Sequence, residues 1–92
     1  MQHVVWLETA SQDLNEILGY IGDRNPLAAL KLQEEIEHAV SQLPFHPYLY
    51  RLGRVAGTRE LVVHPNYLIV YRITPSAMEI INVMHSRRQY PA

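Results

Sequence analysis

The spacing of apolar residues changes once along the chain, near residue 57. Before that point it follows the turn of a helix, and after it apolar and other side chains alternate with a period of two. The opening run HVVWLE (3–8) is short, rich in β-formers and predicts a strand. Thr9 and Gln12 stand at capping-box spacing. Leu14, Ile17, Leu18 and Ile21 follow at i, i+3, i+4 and i+7, which predicts an amphipathic helix ending near Gly22 and Asn25. Asn25-Pro26 predicts a second helix start: Asn caps, and Pro suits a first turn that needs no N–H. Ala29, Leu32, Ile36, Ala39 or Val40, and Leu43 carry its stripe up to Pro44. The short link implies an antiparallel helical hairpin.

PFHPYLYRLGRVAG (44–57) holds two prolines, two glycines and three aromatic residues. It is expected to be a loop packed by its own rings. TRELVVH (58–64), YLIVYRI (67–73) and MEIINVMH (78–85) are predicted strands, with turns at Pro65-Asn66 and Pro75-Ser76. The order βααβββ predicts an α+β fold, with the helical hairpin packed on one face of a small, largely antiparallel sheet.

The strands carry large apolar groups on both faces. Tyr67, Ile69, Tyr71 and Ile73 alternate with Leu68, Val70 and Arg72, and Ile81 and Val83 alternate with Ile80 and Met84. The helices are expected to lay Leu14, Ile17, Leu18, Ile21, Leu32, Ile36, Val40 and Leu43 on Ile69, Tyr71, Ile81 and Val83. Leu68, Val70, Ile80 and Met84 then form a second apolar strip. Large exposed patches of this kind are uncommon on monomers. Either the long loop folds across the strip or a partner covers it, and the partner is the favoured reading.

At 92 residues the chain is expected to be one domain, 1–92, with one core. It has no cysteine, which excludes disulfides and thiolate metal sites. MQHVVWLETA lacks the basic and long apolar regions of a signal peptide, and no run is long enough to span a bilayer. A cytoplasmic protein with no membrane contact is expected. The net charge of −1 conceals an asymmetry: residues 1–50 sum to −5 and residues 51–92 to +4, the latter's cations all arginine. An arginine-only half points to phosphate, nucleic acid or an acidic partner segment, unless the two halves neutralise each other across the fold.

The candidate chemistry gathers at the end of the chain. His85, Arg87, Arg88 and Tyr90 include a base, an acid and cations of the kind that RNA cleavage through a 2′-hydroxyl requires. The competing reading is a solvated tail with Tyr90 packed on the body. Arg59 is expected on the side of the sheet where His85 ends the last strand, and Glu60 and Arg72 as a cross-strand pair. His46 and His64 lack metal-ligand spacing, so no metal is expected, and no motif calls for a cofactor. The only lysine is Lys31, on the second helix, so the sheet half has none for proton transfer. The second helix is acidic (QEEIEH), unlike a DNA-recognition helix.

VVWLETASQDLNEILGYI, HPYLYRLGRVAGTRELVVHPNYLIVYRI and INVMHSRRQYP resemble the ParE branch of the RelE/ParE toxins of bacterial type II toxin–antitoxin modules. The resemblance runs from about Val4 to Pro91. G-T-R-E-L-V at 57–62, Tyr67 to Arg72, and H-x-R-R-Q-Y-P at 85–91 are its most specific parts. It implies a helical hairpin on an antiparallel sheet and a cognate antitoxin that winds a segment around the toxin, with operator DNA bound only through the antitoxin. It points to Leu68, Val70, Ile80, Met84 and Arg72 as the antitoxin-binding surface. ParE-like members trap DNA gyrase without bond chemistry of their own, and on that reading Arg59, Arg87, Arg88 and Tyr90 meet the target. RelE-like members cleave mRNA on the ribosome, and on that alternative Arg59, His85, Arg87 and Tyr90 are the catalytic candidates. Here YLIVY has Leu68 where RelE-like relatives carry an arginine, and their lysines are absent, so the departures favour an inhibitor.

Overall fold

A computed structural model describes residues 2–88 and 90. Strand β1 (Val4–Trp6) leads into helix α1 (Glu8–Gly22). Helix α2 (Pro26–Gln42) follows, then a 3₁₀ turn (Leu43–Phe45) and strands β2 (Arg51–Leu52), β3 (Arg59–His64), β4 (Tyr67–Ile73) and β5 (Met78–His85). The sheet order is β1-β5-β4-β3-β2. All pairings are antiparallel except β1 with β5. The expected α+β architecture is present, with one strand more: β2 lies inside the segment expected to be loop.

The start of α2 is as its sequence dictates. Asn25 caps it by accepting from the Ala28 N–H at 3.1 Å, and Pro26 opens the first turn. The start of α1 differs. Its N-cap is Leu7, with no side-chain cap bond, and Thr9 instead donates its hydroxyl to the Ile81 carbonyl at 2.6 Å. The cause is the brevity of β1, which pairs only with Met78–Ile80. Leu7 N–H still reaches the Ile80 carbonyl at 3.0 Å, and from there α1 takes over. Thr9 bonds Ile81, and Asp13 accepts from Asn82 Nδ2 at 2.9 Å and from the Val83 N–H at 3.1 Å. A row of strand groups that β1 leaves unpaired is satisfied by one face of a helix.

β5 carries an irregularity there. Val70 pairs with Asn82 but Tyr71 pairs with Ile80, so Ile81 is the extra residue of a β-bulge. The bulge exchanges the faces of two isoleucines. Ile80, expected on the second strip, is fully buried in the main core with Tyr71, Met78 and Val83. Ile81, expected under the helices, packs with Leu68, Val70 and Met84. The helices contribute Ala10, Leu32, Ile36, Val40 and Leu43 to the main core, with Leu14, Ile17, Leu18 and Ile21 at its margin.

The 44–57 segment is tied down by its backbone. Tyr71 donates its hydroxyl to the Pro47 carbonyl at 2.8 Å, and Arg59 Nη1 donates to the carbonyls of Tyr48 and Tyr50 at 3.2 and 2.8 Å. Of its three rings Tyr50 packs against the main core, as expected, while Phe45 and Tyr48 are largely exposed. Gly57 closes the β2–β3 hairpin at φ 81°, a conformation that suits glycine.

Candidate functional site: a carboxylate that holds the C-terminal segment

Glu60 stands in the middle of the sheet face turned away from the helices, opposite Val70 on β4 and Arg51 on β2. It is 3% exposed, and a carboxylate in that position needs several donors. Arg51 supplies Nε at 3.0 Å and Nη2 at 2.8 Å. Arg54, in the hairpin turn, donates its backbone N–H at 3.2 Å and brings its charge into ion-pair range, with Nε at 3.6 Å. Tyr90 donates its hydroxyl. Burial, the largest single effect, pushes the Glu60 pKa up. The bonds from Tyr90, the Arg54 amide and Arg51, with the charge of Arg51, outweigh it and hold the group below its ordinary value of 4.5.

The same contacts fasten the end of the chain. Arg54 lies 4.6 Å from the centre of the Tyr90 ring and donates Nη1 to the Arg88 carbonyl at 3.0 Å. Tyr90 is packed on Leu68, Val70, Met84 and Ile81. Burial first, and then the Glu60 carboxylate, push its phenol up to about 12. The second apolar strip is therefore covered by Tyr90, with Leu68, Val70 and Met84 all buried. Beside the tail a cleft of about 410 Å³ stays open between the hairpin turn and Tyr90, with Val55, Val70, Ile81 and Arg72 among its walls. Arg72 is not paired with Glu60 as expected. It binds Glu79, its neighbour across the β4–β5 ladder, at 2.5 Å, because Glu60 is already enclosed by Arg51 and Arg54.

Of the remaining candidates, His85 and Arg88 line one cleft with Tyr67 and Asp13, whereas Arg59 lies apart from them. His85 pairs with Tyr67, whose ring meets it edge-on at 5.4 Å, and its Nδ1 accepts from the Arg87 N–H at 3.1 Å. Tyr67 belongs to the helix-side core, so His85 lies on the opposite face from Tyr90. Arg59 pairs with Tyr71, four residues from Tyr67 along β4, or about 13 Å at strand rise. Arg59 thus stands on the same face of the sheet as His85, but its guanidinium is held by the 48–50 carbonyls, well apart from the imidazole. Arg87 and Arg88 are exposed. Gln89, Pro91 and Ala92 of the tail motif lie outside the described residues. Among the described residues no group of three or more metal-ligating side chains is assembled, and no helix is long and apolar enough to cross a membrane.

Arg51 and Arg54 were not singled out from the sequence. The available signal is Glu60 itself, a strand glutamate whose charged neighbours from residue 51 to 72 are all arginine, and alternation alone points it to Arg72.

Three comparisons bear on this arrangement. The model of the family described as ParE toxin of type II toxin–antitoxin system, parDE, matches residues 4–90. Toxin RelE2 of Caulobacter vibrioides is 38% identical over 88 residues, covering 96% of this chain and 99% of the relative, and the putative toxin Y4kP of Sinorhizobium fredii is 38% identical over 91 residues, covering 98% and 94%. A chain of the chromosomal ParDE toxin–antitoxin system of P. aeruginosa superposes with a TM-score of 0.83 at 22% identity, covering 92% of this chain and 96% of that one.

Proposed function

Because the chain belongs to the ParE toxin family of type II toxin–antitoxin systems, we propose that it acts by binding its target, with DNA gyrase as that target, and that a cognate antitoxin neutralises it. The observation that carries this reading is the dispersal of the would-be catalytic groups. His85 and Tyr90 stand on opposite faces of the sheet, and Arg59 is engaged by backbone carbonyls. The Tyr90 phenol, pushed up to about 12, is poorly matched to proton transfer near neutral pH. His85 serves to close β5, and Arg87 and Arg88 are free to meet carboxylate or phosphate on the target. Tyr90 contributes by fixing the segment that presents them. The antitoxin is proposed to reach Val70 and Ile81, with Arg72 at the rim, through the cleft beside Tyr90, whereas Leu68 and Met84 are buried and do not line it.

The test has two arms. One incubates the toxin with gyrase, DNA and ATP and scores supercoiling and trapped cleavage. The other incubates it with mRNA, with and without ribosomes. Gyrase inhibition weakened about tenfold by Arg87→Ala with Arg88→Ala, and intact RNA, are expected. RNA cleavage abolished by His85→Ala would overturn the reading in favour of a ribosome-dependent endoribonuclease.

A further inference from the structure

Helix α1 and the β4–β5 pair enclose a cleft of about 390 Å³, a size within the range of small-ligand pockets. Tyr20 of α1 and Tyr67 of β4 give it aromatic walls, and Ile17 and Val83 add apolar surface. Both rings are positioned by neighbours. The Arg24 guanidinium lies 4.0 Å from the centre of the Tyr20 ring, and its Nη1 donates to the Tyr20 carbonyl at 3.1 Å. Tyr67 meets the rings of His64 and His85 at 5.9 and 5.4 Å between centres. Tyr20 is still 63% exposed, so its ring has surface to offer a ligand as well as Arg24.

The charged groups of this cleft are of both signs and do not satisfy one another. Asp13 and Glu16 of α1 line it together with Arg88 of the tail. Among the described residues neither Glu16 nor Arg88 takes part in an ion pair. Asp13 receives Asn82 and the Val83 N–H on Oδ2, which leaves Oδ1. A purely cationic ligand would leave Arg88 unmatched, and a purely anionic one would meet two carboxylates. The ligand that suits walls and charges together is planar, donates hydrogen bonds at one end and is anionic at the other. A nucleotide has that form: its base stacks on tyrosine, its N–H groups go to a carboxylate and its phosphate to a guanidinium. Among the bases guanine fits an acceptor-only carboxylate, because its N1–H and 2-amino group stand side by side as donors. Base pairing occupies that edge, so the ligand is unpaired.

We propose that the cleft between α1 and the β4–β5 pair binds one unpaired guanine nucleotide, with the base on Tyr20 and Tyr67, its donor edge on Glu16 and its phosphate on Arg88. The site is separate from the strip under Tyr90 and does not depend on which target the toxin takes. A free nucleotide and an unpaired guanine within a single strand offer the same chemistry, and the test includes both. The full-length toxin is titrated by calorimetry with guanosine monophosphate, uridine monophosphate, guanosine, and a single-stranded oligothymidine carrying one central guanine. Guanosine monophosphate is expected to bind at least tenfold tighter than uridine monophosphate, whose base turns acceptors toward the carboxylate. Glu16→Gln should remove most of that preference. Tyr20→Ala should weaken binding at least tenfold, and Tyr20→Phe should keep it. Arg88→Ala should weaken guanosine monophosphate and leave guanosine unchanged. Glu16 and Tyr20 are exposed, so these variants report on the cleft and not on the fold. An oligonucleotide bound at least tenfold tighter than the mononucleotide makes a strand the source; otherwise the free nucleotide is. Absence of binding by both guanine probes at millimolar concentration rejects the proposal, as does binding indifferent to Glu16→Gln and Tyr20→Ala. Tighter binding of N-acetylarginine methylamide than of guanosine monophosphate assigns the cleft to a cationic side chain, against the proposal.

Discussion

Replacing Glu60 by glutamine should loosen the C-terminal segment more than it disturbs the sheet. The substitution keeps shape and an acceptor oxygen but removes the charge that draws in Arg51, Arg54 and Tyr90. Both arginines can return to water, since their side chains are 57% and 40% exposed, so their share of the loss is small. The larger part belongs to the half-buried Tyr90 phenol and the Arg54 amide, which exchange a charged acceptor for a neutral one. A net cost of about 1–3 kcal/mol follows, against a total stability of about 5–14 kcal/mol for a chain of this size. At about 4–8 °C per kcal/mol, a loss of about 2 kcal/mol lowers the melting temperature by about 8–16 °C. Calorimetric melting of wild type, Glu60→Gln, Tyr90→Phe and the double variant forms a cycle that isolates the Glu60–Tyr90 coupling. The pH dependence gives a second readout. The folded-state pKa of Glu60 lies below its ordinary 4.5, so the unfolded chain binds the extra proton first. The stabilisation is present above about pH 4.5 and fades as pH falls through the folded value. Glu60→Gln should flatten that acid slope. Strict additivity in the cycle, together with an unchanged acid slope, would refute the idea that this carboxylate holds the tail.

Other expectations follow from the same contacts. Ile36→Ala, at a fully buried position of α2, should cost about 2–5 kcal/mol in denaturant unfolding. Asp13→Ala removes the acceptor for Asn82 and for the Val83 N–H. It should speed amide exchange at Val83 and destabilise by about 1–3 kcal/mol, and native-like protection there would show that the bulge stands without it. Tyr71 and Tyr90, both pushed up to about 12, chiefly by burial, should ionise late in an absorbance titration at alkaline pH, and Tyr71→Phe and Tyr90→Phe should each remove part of the late phase. Because their folded values are raised, the stability they contribute is complete below about pH 10 and is lost as pH climbs through 12.

Most of the architecture was legible because it depends on local periodicity. The Asn25-Pro26 start, the Leu32–Ile36–Val40–Leu43 stripe, the two tight turns and the three long strands each follow from residues within a few positions of one another. What escaped depends on distant residues. β2 is two residues long, too short to show alternation, and exists because β3 lies beside it. The Thr9–Gln12 spacing resembled a cap, but the Thr9 hydroxyl is taken by a carbonyl 72 residues away.

The bulge in β5 shows how such a distant contact alters the reading of a site. Strict alternation through MEIINVMH places Ile80 and Met84 on one face and Ile81 and Val83 on the other. One extra residue opposite Val70 reverses the assignment upstream of Asn82 and leaves it intact downstream. That is why Met84 stands on the strip as expected while Ile80 does not. Nothing within the strand sequence marks the position, because Ile80 and Ile81 are the same residue and suit either environment equally. The choice is made by α1, whose Thr9 and Asp13 meet Ile81, Asn82 and Val83 where β1 has ended. A strip composed of Leu68, Val70, Ile81 and Met84 thus owes its membership to two polar side chains on the other layer of the fold. Tyr90, which roofs it, is held in turn by a carboxylate on β3, so the exchanged member of the floor and the roof both depend on elements outside β4 and β5, the strands that supply two floor residues each.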